Sequence, residues 1–183
     1  MKNLILTFLL LLTLSIAAQN KYITKTGSVT FEASVPSFEE VKATNKNTTA
    51  IINTENGEFA ALVLVKGFRF KNALMEEHFN ENYADSDEYP KATFKGQISS
   101  FSVDDLNNSS QQKQYNGTMT FHGKTKTLSN EALSISKNTD GSLKITGKLK
   151  LNVADFDIEI PKIVSNKLSR EVDVTFEFLL NKK

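Results

Sequence analysis

Residues 171–180 read EVDVTFEFLL, and apolar side chains occupy every second position from Val172 to Leu180. Successive side chains of a β-strand point to opposite faces, so this segment has one apolar face and one face suited to water. The same alternation runs through residues 143–153 and, in shorter form, through residues 29–35 and 92–98. This period predicts strands of an antiparallel sheet that is solvated on one side.

Further segments extend the pattern along the chain. The other strand candidates are residues 49–53, 58–70, 115–121 and 133–137. Residues typical of turns separate the segments at 55–57, 104–108 and 139–141. We therefore predict an all-β chain of roughly eight to ten strands, arranged as an antiparallel barrel or a sandwich.

Two segments depart from the strand period. One short amphipathic helix is predicted over residues 72–83, because side chains at helical spacing fall on a single stripe. The stripe contains Leu74, Met75, His78, Phe79, Asn82 and Tyr83. Residues 158–168, around Pro161, are predicted to form a loop or a brief helical turn.

The N-terminal segment has the features of a secretory signal peptide. Lys2 precedes an apolar run over residues 4–14, and small residues follow up to Ala18. The apolar run is shorter than the roughly 20 residues that a membrane span requires. We expect cleavage after Ala18, which leaves residues 19–183 as one domain that is periplasmic or secreted and has no stable membrane span.

Composition excludes several classes of function. The chain has 22 basic and 21 acidic residues, which provides no basic surface for nucleic acid. It contains no cysteine and 2 histidines, His78 and His122, which lie far apart in the sequence. Adjacent carboxylates such as Glu76 and Glu77 diverge on a helix, so they do not form an acid/base pair. We predict a protein that is not an enzyme and that uses neither a cofactor nor a metal.

Phenylalanine is abundant, with 13 residues, and most lie on the predicted strand faces or the helix stripe. Aromatic side chains fill a protein core well, and they also line apolar cavities that hold a hydrocarbon ligand. Composition alone leaves both interpretations open.

Three motifs bear on this choice. Residues 66–79 read KGFRFKNALMEEHF, residues 88–96 read EYPKATFKG, and residues 116–126 read NGTMTFHGKTK. Together with GSVTF at residues 27–31, they resemble the YceI-like family of exported lipid-binding proteins. The resemblance implies a lipocalin-like antiparallel β-barrel whose elongated apolar pocket holds a polyisoprenoid or similar amphiphile, without catalysis. Residues 72–75 depart from the usual family pattern. This departure affects the expected head group of the ligand more than the expected fold.

On this basis we predict the residues that line the pocket and the partner that it binds. The candidate lining residues are Val29, Phe31, Phe68, Phe70, Phe79, Tyr83, Phe94, Ile98, Phe121, Phe176 and Phe178. The expected partner is a long-chain isoprenoid or a quinone-like lipid. Arg69, Lys71 and Lys91 are either contacts for a pyrophosphate or solvated charges. The alternative function is a filled barrel that serves as an interaction or stress-response module. A homodimer is a further partner that the sequence allows, and the oligomeric state is left open.

Overall fold

The computed structural model describes residues 20–183, so the predicted signal peptide lies outside the described residues. The strands are β1 (Lys21–Ser34), β2 (Lys42–Asn53), β3 (Glu58–Leu64), β4 (Arg69–Phe70), β5 (Lys91–Ile98), β6 (Gln111–Phe121), β7 (Lys124–Lys137), β8 (Leu143–Asn152) and β9 (Leu168–Lys182). They follow the segments of alternating sequence, although β1, β2, β6 and β7 begin earlier than predicted, and the strand predicted over residues 58–70 is broken by a turn at Val65–Gly67 into β3 and β4. Thr, Asn, Gln and Lys dominate these extensions, so their apolar alternation is weak.

The strands form a closed antiparallel barrel. Each strand pairs with its neighbour in the order β1, β2, β3, β5, β6, β7, β8 and β9, and β9 pairs with β1 to complete 8 strands. Strand β4 adds only the pairs of Phe70 with Ala43 and of Arg69 with Thr44 to the edge of β2. Closure leaves no unpaired sheet edge along the wall of the barrel. The predicted all-β, lipocalin-like architecture is confirmed.

One short helix interrupts the barrel, as predicted. Helix α1 (Ala73–His78) continues into a π-helical turn (Phe79–Tyr83). The side chain of Asn72 caps it, since the Met75 amide donates to Asn72 Oδ1 at 2.9 Å. Leu74 and Asn82 belonged to the predicted apolar stripe, but both are exposed. The buried side of this segment is therefore narrower than the sequence indicated.

Short 3₁₀ turns complete the fold at Val65–Gly67, Val153–Phe156 and Lys162–Val164. The last of these lies inside the segment predicted as a loop or a brief helical turn. It follows Pro161, whose fixed φ suits the start of a helical turn.

The barrel interior is filled in one half. The fully buried residues of this closed half include Ile52, Ile98, Leu133, Ile135, Leu143, Ile145 and Leu180. Above them lies a group of rings that we call the aromatic plug, formed by Phe59, Phe94, Tyr115, Phe176 and Phe178. Its rings are 5.4 Å apart between Phe94 and Tyr115, 6.3 Å between Tyr115 and Phe176, and 5.4 Å between Phe176 and Phe178.

Strand glycines make room for these rings. A Cβ atom on Gly147 would lie 2.3 Å from Cζ of Phe176, the residue that pairs with it across the sheet. Cβ atoms on Gly96 and Gly117 would lie 2.6 and 2.7 Å from Cζ of Phe94. The plug rings therefore lie directly against the backbone of the barrel wall.

Candidate functional site

The other half of the barrel is hollow and contains a cavity of about 560 Å³. It lies at the end where β1, β3, β6 and β8 finish. Its apolar wall includes Val29, Phe31, Ala33, Val63, Phe68, Phe70, Met75, Phe79, Ala92, Met119, Phe121, Leu151, Phe156, Ile158, Ile160, Val172 and Val174. These side chains come from the inward faces of the strands, from α1 and from the segment between β8 and β9. A cavity of this size and composition suits an apolar ligand.

Four phenylalanines form a continuous aromatic side of the cavity. The ring of Phe31 on β1 lies 5.0 Å from Phe68, 5.7 Å from Phe70 and 5.1 Å from Phe79. The ring of Phe79 also contacts Phe68 and Phe70, at 5.8 and 5.2 Å. These rings join β1, the β3–β4 turn and the helix, so the helix is held to the barrel by apolar contact.

Exposed polar contacts of Arg69 also hold the helix in place. The guanidinium of Arg69 donates to the carbonyls of Lys66 and Phe68 and pairs with the Glu76 carboxylate at 3.0 Å. Arg69 is therefore turned towards the start of α1 and does not line the cavity.

Polar groups are few and lie among the residues that line the cavity mouth. They are Glu39 in the β1–β2 loop, His78 at the end of α1, Asn152, and Lys167 and Ser169 near the start of β9. Among residues 20–183, the side chains of Glu39, His78 and Lys167 form neither a salt bridge nor a hydrogen bond. They are free to contact a polar group of a ligand.

A separate polar contact fixes the barrel rim beside the cavity. His122 lies in the β6–β7 turn, where its Nδ1 is 2.8 Å from the Phe156 carbonyl oxygen and its Nε2 is 3.1 Å from the Asp85 carboxylate. His122 thereby links three connecting segments.

The turn that contains Phe156 is also tied to β7. Lys126 donates to the Asp155 carboxylate, and this hydrogen bond lowers the pKa of Asp155 below its ordinary value. Lys124 pairs with Asp157 at 2.6 Å. These contacts anchor the wall of the cavity that lies between β8 and β9.

The structure brings most of the predicted site residues together. Those that line the cavity are Val29, Phe31, Phe68, Phe70, Phe79, Tyr83 and Phe121. Phe94, Ile98, Phe176 and Phe178 do not line it, because they point inward in the closed half and belong to its core. Lys71 and Lys91 are exposed and, like Arg69, lie outside the cavity.

Several cavity residues were missed from the sequence. Val172 and Val174 belong to the same alternation as Phe176, and Met119 belongs to the same alternation as Phe121. The sequence could therefore have predicted that these three side chains point inward. Phe156, Ile158 and Ile160 come from a segment without regular period, which gives no such signal.

Residues 20–183 contain no group of three or more His, Cys, Asp or Glu side chains placed to hold a metal ion. In the same part of the chain, no helix combines the length and apolar character needed to cross a membrane.

Comparisons with known proteins give a consistent result. A family model of the YceI-like domain matches residues 21–180. A polyisoprenoid-binding domain from Saccharophagus degradans, implicated in plant cell wall breakdown, shares this fold with a TM-score of 0.78 at 15% identity, covering 90% of this chain and 99% of that one. No curated protein sequence is similar enough to this chain to count as a relative.

Two further solved structures share the fold. BcnA from Burkholderia cenocepacia has a TM-score of 0.65 at 16% identity, covering 84% of this chain and 96% of its own. A YceI protein from Campylobacter jejuni has a TM-score of 0.62 at 16% identity, covering 81% and 89%.

Proposed function

The chain belongs to the YceI-like domain family, and from this premise we propose that it is a non-catalytic binding protein for a polyisoprenoid or similar amphiphilic lipid. The cavity is the single observation that carries the proposal. It is about 560 Å³ in volume and lined mainly by aliphatic and aromatic side chains. The name of the S. degradans domain describes polyisoprenoid binding by that protein, which supports the same class of ligand here.

The energetics favour a ligand that is mostly hydrocarbon. Transfer of a lipid tail from water into an apolar cavity gains about 0.8 kcal/mol for each buried CH₂ group. The aromatic side formed by Phe31, Phe68, Phe70 and Phe79 offers flat surfaces against which an unsaturated chain can pack.

The mouth determines which head groups are acceptable. Lys167 and His78 can donate hydrogen bonds, whereas Glu39 presents a negative charge. A small head group with both donor and acceptor atoms, such as a hydroxyl or a quinone-like ring with a hydroxyl, fits this mixed set. The mixed charge favours such groups over a pyrophosphate, and the three basic residues suggested for that role lie outside the cavity.

We also propose that the protein is exported and acts as a lipid carrier or scavenger in the periplasm or outside the cell. The support is the order of positive, apolar and small residues up to Ala18. Mass spectrometry of the exported protein tests cleavage after Ala18, and an intact N-terminus would contradict it.

A fluorescence titration tests lipid binding directly. The chain contains no tryptophan, so Phe70→Trp places a single reporter on the cavity wall. Leu179→Trp is the matched control, because Leu179 is exposed on β9 at the closed end. We expect geranylgeraniol to change the emission of the Phe70→Trp protein saturably and to leave the Leu179→Trp protein unchanged.

Organic extraction of the purified protein followed by mass spectrometry provides the independent check. A protein that carries no lipid and also gives no saturable response to geranylgeraniol, menaquinone or a fatty acid would refute the proposed function. The alternative, an interaction module without a lipid, would then be favoured.

A further inference from the structure

We propose that the aromatic plug is a chain-length stop, which limits the enclosed part of the ligand to about four isoprene units. This inference rests on the proposed function, because it concerns the length of the lipid that the same cavity accepts.

The position of the plug follows from the strand period. On β5, Ala92 lines the cavity and Phe94 is the next side chain on the same face. On β9, Val174 lines the cavity and Phe176 is the next residue on that face. Phe94 and Phe176 therefore lie one step deeper than the last lining residues of these strands, and we call this layer beneath the cavity the floor.

The floor spans the interior of the barrel. The ring of Tyr115 on β6 lies between the two floor rings, 5.4 Å from Phe94 and 6.3 Å from Phe176. Burial raises the pKa of the Tyr115 hydroxyl, with a further contribution from the charge of Glu131, so the ring remains neutral.

The floor is also rigid. Phe176 lies on Gly147 and Phe94 lies on Gly96 and Gly117, so neither ring can move towards the wall to admit a longer chain. Below them, Phe178 stacks on Phe176 with an interplanar angle of 18°. Displacing a floor ring would require repacking of the buried layer beneath it.

The volume of the cavity limits the length of the lipid chain that it can enclose. A non-hydrogen atom of a liquid occupies about 30 Å³, as a water molecule does, so the cavity holds roughly 19 such atoms. This corresponds to about four isoprene units. The tail of an octaprenol requires about twice that volume, so half of it would remain in water at the mouth.

A series of prenols of increasing length tests the stop. With the Phe70→Trp reporter, we expect the affinity to rise by at least about tenfold for each added isoprene unit from geraniol through farnesol to geranylgeraniol. Geranylfarnesol and octaprenol should bind within about threefold of geranylgeraniol, because their additional units are not enclosed.

Replacing a floor residue with a smaller one should increase the length of prenol at which the affinity stops rising. In the reporter background, Phe176→Ala should raise the affinity for geranylfarnesol by at least about tenfold relative to geranylgeraniol. Phe101→Ala is the matched control, because Phe101 packs on the closed core without forming the floor, and the limit should stay in place. Circular dichroism establishes that each variant folds, and Phe176→Leu and Phe94→Leu carry the test if the alanine variant does not.

The outcomes separate the two proposals. If no prenol binds, the proposed function itself fails. If the affinity of the reporter protein continues to rise through octaprenol, or if folded floor variants keep the original limit, lipid binding stands and the chain-length stop is refuted.

Discussion

Leucine-to-alanine substitutions in the two halves of the barrel should separate stability from binding. Leu180 on β9 is 0% exposed and lies in the closed half, whereas Leu151 on β8 is 7% exposed and lines the cavity. The two substitutions delete the same atoms. The cost of such a deletion includes the lost transfer energy and a second contribution that grows with the volume of the new cavity.

The magnitudes differ because the surroundings differ. Removing three carbons loses about 2.4 kcal/mol of transfer energy at either site. At Leu180 a new enclosed cavity raises the total to about 4–5 kcal/mol, whereas Leu151→Ala only enlarges an existing cavity and should cost about 2–3 kcal/mol. For a domain of this size, Tm should fall by about 8–20 °C for Leu180→Ala and by roughly half as much for Leu151→Ala.

Thermal unfolding with and without geranylgeraniol measures both quantities. A ligand present at about 100 times its Kd stabilises the native state by about 2.7 kcal/mol, a Tm increase of about 5–11 °C. Leu180→Ala should retain this increase, and Leu151→Ala should lose much of it. Equal stability losses, or loss of the ligand-induced increase in Leu180→Ala, would refute the independence of the two halves.

Three further substitutions test individual contacts. Asn45 is 0% exposed and its amide donates to the Leu64 carbonyl at 2.8 Å, so Asn45→Ala should lower the free energy of unfolding in urea by about 1–3 kcal/mol; no change would contradict the role of this bond. Arg69→Ala removes the exposed ion pair that holds helix α1 in place, so stopped-flow measurements should show faster lipid release with a stability change below about 1 kcal/mol, and an unchanged rate would argue against a role of this contact in retaining the lipid. The pKa of Asp155 is lowered from 3.8, mainly by the hydrogen bond from Lys126, so its contribution to stability is present above this value and is lost as the pH falls through the lower folded-state pKa. Urea unfolding at neutral and acidic pH should therefore show a smaller acid-induced loss for Asp155→Asn than for the unsubstituted protein, and identical losses would contradict the assignment.

The sequence predicted the barrel because period-two alternation depends on each strand alone. In β9, Val172, Val174, Phe176 and Phe178 all point inward, as the alternation indicated. Closure required in addition that β9 pair with β1, a contact between distant segments that local sequence does not specify. The resemblance to a known family supplied this part of the prediction.

Depth along the barrel was not predictable in the same way. Phe31 and Phe176 occupy equivalent positions in alternating strands, yet Phe31 lines the cavity and Phe176 lies in the layer beneath it. What distinguishes them is the register between strands, since Phe176 pairs with Gly147. Register is a relation between two strands, so the pattern of either strand alone could not reveal it.

Dividing the barrel into a filled half and a hollow half has a consequence for evolution. Side chains such as Ile145 and Leu180 are 0% exposed and belong to the filled half, away from the residues that line the cavity. Substitutions at the cavity wall therefore cost less stability than substitutions in the filled half, so selection can alter ligand preference there while the filled half maintains the architecture. This separation of the stabilising core from the ligand cavity is consistent with the persistence of this fold in proteins with only 15–16% identity to this chain.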